Sequence, residues 1–109
     1  MKIPESVRIN GIEYNIRLVK DLNDGNSILQ GMIDYIKSEI HLNDGYGHQS
    51  KCITLLHEII HGILYHSGID LGEMEEKTID ILAYGIHQVL QDNGRKLFDI
   101  VESDAIEGG

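Results

Sequence analysis

Two histidines four residues apart, with a glutamate directly after the first, form the run His57-Glu58-Ile59-Ile60-His61. These are the residue types that hold a divalent metal and move a proton beside it. On a helix each residue advances by about 100°, so the two rings leave one face one turn apart, as two ligands of a single ion require. Imidazole nitrogen suits zinc, and a catalytic zinc site takes three protein ligands and keeps its fourth position for water. The pair therefore needs a third ligand from elsewhere, with Glu58 placed to act as general base. Cys52 is the only cysteine, so no internal disulfide and no cysteine cage can form within the chain, and that ligand is histidine or carboxylate.

With His57 at the origin of a helical wheel, Ile53, Leu56, Ile60, Ile63 and Leu64 gather on one side, while Thr54, Glu58, His61 and Tyr65 form a separate polar sector. A polar notch bordering a buried face is the expected setting. Downstream, Glu76 and Asp80 are again four apart, and Ala83 and His87 continue their stripe beside the apolar face of Ile79, Leu82, Ile86 and Leu90. If the two polar borders face each other, Glu76 completes the metal site. Asp80 then accepts the free ring N–H of a ligand histidine and fixes its tautomer, and Ala83 lets the helices approach closely. Glu73 faces nearly as Glu76 does and is the reserve ligand, although Glu73 and Glu75 also suit a helix N-terminus on dipole grounds alone. His41, His48 and His66 fall on a strand, a loop and a helix end, and His87 reads first as core-lining.

The elements that must position these residues are legible from their periodicities. Residues 7 to 19 predict a hairpin around Asn10-Gly11, the preferred two-residue turn, with Ile12, Tyr14, Ile16 and Leu18 alternating inward. A turn-rich stretch from Asp21 to Ser27 leads to a second strand pair near Met32 to Tyr35 and Ser38 to Leu42. The turn cluster at residues 43 to 47 precedes a first helix from about Gln49 to His66, closed by Ser67-Gly68. A second helix is predicted from about Gly72 to Asp92, stopping at Asn93-Gly94. Residues 1 to 100 are thus expected to form one α+β domain, N-terminal antiparallel strands followed by two helices. Residues 101 to 109, acidic and small, are expected to form a disordered tail.

The run Leu55-Leu56-His57-Glu58-Ile59-Ile60-His61-Gly62, followed by Glu76-Lys77-Thr78-Ile79-Asp80-Ile81-Leu82-Ala83, resembles the minimal HExxH metallopeptidases related to the ImmA/IrrE family. Such proteins are carried by bacteria, phages and mobile elements, and the resemblance spans roughly residues 31 to 92. It implies a small zincin-like fold. By position, it implies that His57 and His61 are zinc ligands, Glu58 the general base, Glu76 the downstream glutamate ligand and Asp80 the acidic residue after it. The chain departs from the family pattern at Thr78 and Ile79, where a second Glu and a small residue are common. Family members often cleave helix-turn-helix repressors, so the analogy implies a protein or peptide substrate, a repressor among them.

The expected chemistry is zinc-dependent hydrolysis of a peptide bond: the ion polarises the carbonyl and acidifies water, whose proton Glu58 takes and passes to the leaving amine. The strand near Ser38 to Leu42 is expected to offer an edge for an extended substrate, and Tyr65, Tyr84 and His87 are candidates for holding the oxyanion. A rival reading is a catalytically inactive zinc-binding interaction module, with Asp80 or His87 closing the fourth position. A further rival is a metal-free accessory protein that binds a basic partner. Eighteen acidic against nine basic residues give a formal charge of −9, the wrong sign for nucleic acid or an anionic bilayer. No stretch resembles a signal peptide or a membrane span, which predicts a cytoplasmic protein.

Overall fold

The computed structural model describes residues 2 to 107, with side chains as far as Val101. Asn10 and Gly11 take positive φ values of 50° and 82°, the left-handed pair that a two-residue hairpin turn demands. They join β1 (Ser6–Ile9) to β2 (Ile12–Val19), as the sequence predicts. Within β2 the inward alternation is centred on Tyr14, which is fully buried, whereas Ile12 and Leu18 at the two ends stay exposed.

The second hairpin, β3 (Gly31–Asp34) and β4 (Glu39–Asn43), turns through Ser38 at a φ of 54°. The strand order is β1-β2-β4-β3, and β2 runs parallel to β4, with Asn15 opposite Glu39 and Val19 opposite Asn43. The two antiparallel hairpins are therefore joined by a parallel seam, which the strand patterns did not foretell. The loop between β2 and β3 explains it. Asn23 and Asp24 accept backbone N–H groups from Gly25, Asn26 and Ser27, and Asn43 donates to the Leu29 carbonyl at 2.9 Å. This side-chain scaffolding carries the chain past the end of β4, so that β3 enters on its outer side. The expectation that Ser38 to Leu42 forms an exposed edge is thereby corrected. The strand at that place is central, with Ile40 and Leu42 fully buried, and the sheet edge beside it is β3, β1 being the other.

Helix α1 (His48–Ser67) closes as expected: Gly68 sits in the left-handed region, its N–H bonds the Tyr65 carbonyl, and the N–H of Ile69 bonds that of Leu64. The core forms where Leu55 of α1 meets Ile9, Tyr14, Ile40 and Leu42 of the sheet. At Gly62 a Cβ would lie 2.9 Å from the Ile9 methyl, so glycine allows the helix to sit low on the strands.

One 3-10 turn (Gly72–Met74) leads into α2 (Glu75–Glu107), which docks on α1 with Ile79, Ala83 and His87 buried. The predicted stop at Asn93-Gly94 does not occur. A glycine inside a helix costs only about 1 kcal/mol relative to alanine, and Asn93 donates back to the Val89 carbonyl at 3.1 Å instead of turning the chain. The helix continues through the segment expected to fray as far as Glu107, and Gly108 and Gly109 lie outside the described residues. Among the described residues no helix is long and apolar enough to cross a membrane.

Candidate metal centre

The third and fourth turns of α1 carry His57, Glu58 and His61, and the first turn of α2 brings Glu75 and Glu76 across from them. The two Nε2 atoms of His57 and His61 lie 3.2 Å apart. Glu76 places one carboxylate oxygen 3.3 Å from Nε2 of His57 and the other 2.7 Å from Nε2 of His61. Donors about 2.0–2.1 Å from a common ion in a tetrahedral arrangement stand about 3.3 Å from one another. These three side chains therefore form a group close enough to hold a metal ion.

The opposite ring nitrogens also face carboxylates. Nδ1 of His57 lies 2.9 Å from an Asp80 oxygen, and Nδ1 of His61 lies 3.2 Å from a Glu75 oxygen. A carboxylate only accepts, so with a cation among the Nε2 atoms and Glu76 each neutral ring would carry its proton on Nδ1 and turn its Nε2 lone pair to that cation. Three electron-rich atoms pointed at one spot repel unless a cation or added protons lie between them, and two imidazoles with one carboxylate fit a divalent metal.

Glu58 is the second observation that fits such a group. It is only 7% exposed and has no hydrogen-bond or ion-pair partner among the described residues, yet it lines both clefts that meet at His57. Burial pushes its carboxyl up to about 7, opposed by nearby His61 and assisted by the negative charge of Glu76. The larger cleft, about 730 Å³, runs between β3 and the end of α1; the smaller, about 300 Å³, lies behind Glu58 towards Asp80 and Tyr84. β3 borders both through Gly31. A Cβ at Gly31 would stand 2.5 Å from Cγ2 of Thr54 and 3.4 Å from the Glu58 carboxylate, so the bare backbone is what lets the strand pass over this part of α1.

The structure thus brings together His57, His61, Glu76 and Asp80 in the relations the two helical stripes predict. Glu73 lies in the 3-10 turn and is not in the group; neither Asp80 nor His87 joins it as a fourth donor. Thr54 and Glu58, placed by the wheel in a polar sector, are buried because β3 covers them. Two residues escaped the sequence reading. Glu75 orients His61, a role masked by its equally good fit to a helix N-terminus; the signal was that two ligand rings need two partners. Tyr35, just beyond β3, lines the larger cleft and stacks on Tyr65 with ring centroids 3.7 Å apart. Burial, then the charge of Glu58, holds its hydroxyl pKa up at about 12. Of the other oxyanion candidates, Tyr65 lines the larger cleft and Tyr84 the smaller, while buried His87 lines neither. Searches for related proteins find no match to this chain among family models, curated proteins or solved structures.

Proposed function

We propose that this protein is a zinc-dependent metallo-endopeptidase, akin to the ImmA/IrrE type, with His57, His61 and Glu76 as ligands and Glu58 as general base. The observation that carries this reading is a buried, partnerless carboxyl beside three converging donors, in a cleft open to water. Zinc, when held by those donors, supplies a Lewis acid that polarises a carbonyl and acidifies water. Glu58, buried beside those donors and lining the cleft, would take a proton from water there and return it to the leaving nitrogen. Asp80 and Glu75 hold the two rings in register throughout. The open edge of β3 offers unpaired backbone groups to an extended peptide and aligns its scissile carbonyl over the histidines. The hydroxyl of Tyr35, kept protonated to about pH 12, is available to donate to that carbonyl oxygen as charge develops on it.

The decisive experiment compares wild type and Glu58→Gln, both loaded with zinc, on a labelled peptide library. Glu58→Gln is expected to keep one zinc per chain and to lose cleavage by at least about a hundredfold. Cleavage at the wild-type rate by that variant would sink the mechanism.

A further inference from the structure

We infer that the cleft selects an extended peptide segment carrying lysine or arginine beside the bond to be cut, an inference that rests on the peptidase reading above. Besides Glu58, the two clefts are lined by four carboxylates, Asp70, Glu75, Glu76 and Asp80, and none of the nine Lys and Arg side chains lines either one. A divalent ion neutralises only part of that charge, so the walls remain negative where a substrate must lie. An anionic segment is repelled and a cationic one drawn in.

The rim of the larger cleft adds a shape to this charge. Asp70 accepts the N–H of Gly72 through one oxygen at 2.7 Å, which fixes the carboxylate and leaves the other oxygen without a partner among the described residues. On the same cleft, Tyr35 and Tyr65 stack within 7° of parallel, and Tyr65 is 57% exposed. A fixed carboxylate and an exposed aromatic ring bordering one cleft are the two features that recognise an ammonium or guanidinium group, by charge and by cation–π attraction. An edge strand leads the substrate backbone along the same cleft, which puts its side chains within reach of that rim.

The test uses two fluorescent peptides of identical sequence except that one bears lysines where its twin bears glutamates. Binding is read by anisotropy on zinc-loaded Glu58→Gln protein. The lysine peptide is expected to bind at least about tenfold tighter at low salt, with the ratio shrinking as salt screens the walls. Asp70→Lys is expected to cut that ratio several-fold, Asp70→Asn to cut it less, and Tyr65→Leu to weaken the lysine peptide alone. Equal binding of the twins, or a ratio indifferent to both Asp70 variants, overturns the inference. Cleavage by wild type is scored separately. Selective binding without cleavage of the lysine peptide would overturn the peptidase reading and leave the recognition standing. Cleavage of both twins with equal kcat/KM would overturn the preference and leave the peptidase standing.

Discussion

A carboxyl buried away from water retains a proton that the unfolded chain would release, and for Glu58 this links stability to pH. Its ordinary pKa is 4.5 and its folded value about 7, so between those limits the folded state binds more protons than the unfolded state. The metal-free protein is therefore expected to lose stability as pH rises from about 4.5 through 7, by on the order of 3 kcal/mol from this group. Urea denaturation of metal-free wild type and Glu58→Gln should diverge over that window, the variant becoming the more stable above pH 7; parallel curves would count against the buried carboxyl. The partners of the two rings make a second case. Replacing Asp80 or Glu75 by alanine frees one imidazole to rotate and change tautomer, and each is expected to weaken zinc binding about 10–100-fold in competition with a chromophoric chelator. At this scale the sequence was readable where spacing alone fixed direction, as for His57, His61, Glu76 and Asp80. It was not readable where burial depended on another element, as for Glu58 under β3, or where one residue fitted two roles, as for Glu75.

Helices and tight turns depend on neighbours in sequence, which is why α1, its Gly68 cap and the Asn10-Gly11 hairpin could be read directly from the chain. The parallel seam between β2 and β4 depends on the path of the loop between β2 and β3, and no local pattern specifies it. The end of α2 was misread for a related reason: Asn-Gly is a strong turn signal only when nothing compensates it, and Asn93 bonds back into its own helix. Gly31 shows how an element's position becomes chemistry. It has an ordinary strand conformation, so the cost of a side chain there is purely steric: a Cβ would meet Thr54 Cγ2 at 2.5 Å and the His41 carbonyl at 3.1 Å. Thr54 is buried and its hydroxyl donates to Gln30 at 3.3 Å, so rotating it away breaks that bond. Gly31→Ala is expected to cost about 1–3 kcal/mol by thermal or chemical denaturation. It should also lower peptide cleavage more than zinc affinity, since it moves the strand that covers Glu58 and leaves the ligands in place.

The long axis of the molecule is 50 Å, which is the length of a helix of 33 residues at about 1.5 Å each. α1, with 20 residues, spans only about 30 Å, so α2 outruns its partner by roughly two-fifths of its own length. The donors that converge on the candidate ion all lie between residues 57 and 76, where the two helices are side by side. A metal there acts as a cross-link between α1 and the start of α2. At a thousandfold excess over its dissociation constant, an ion that binds only the folded state stabilises it by about 4 kcal/mol. That gain must appear where the two helices unfold together and nowhere else. Hydrogen exchange on the full chain, with and without zinc, is therefore expected to show slowed amides in α1 and in α2 from Ile79 to Leu90. Amides from Arg95 to Val101, whose exposed Phe98, Ile100 and Val101 lie beyond the reach of α1, should exchange faster and be unmoved by the ion. Equal zinc protection along all of α2 would mean that the helix unfolds as one cooperative unit, and that its far half is held by contacts of its own.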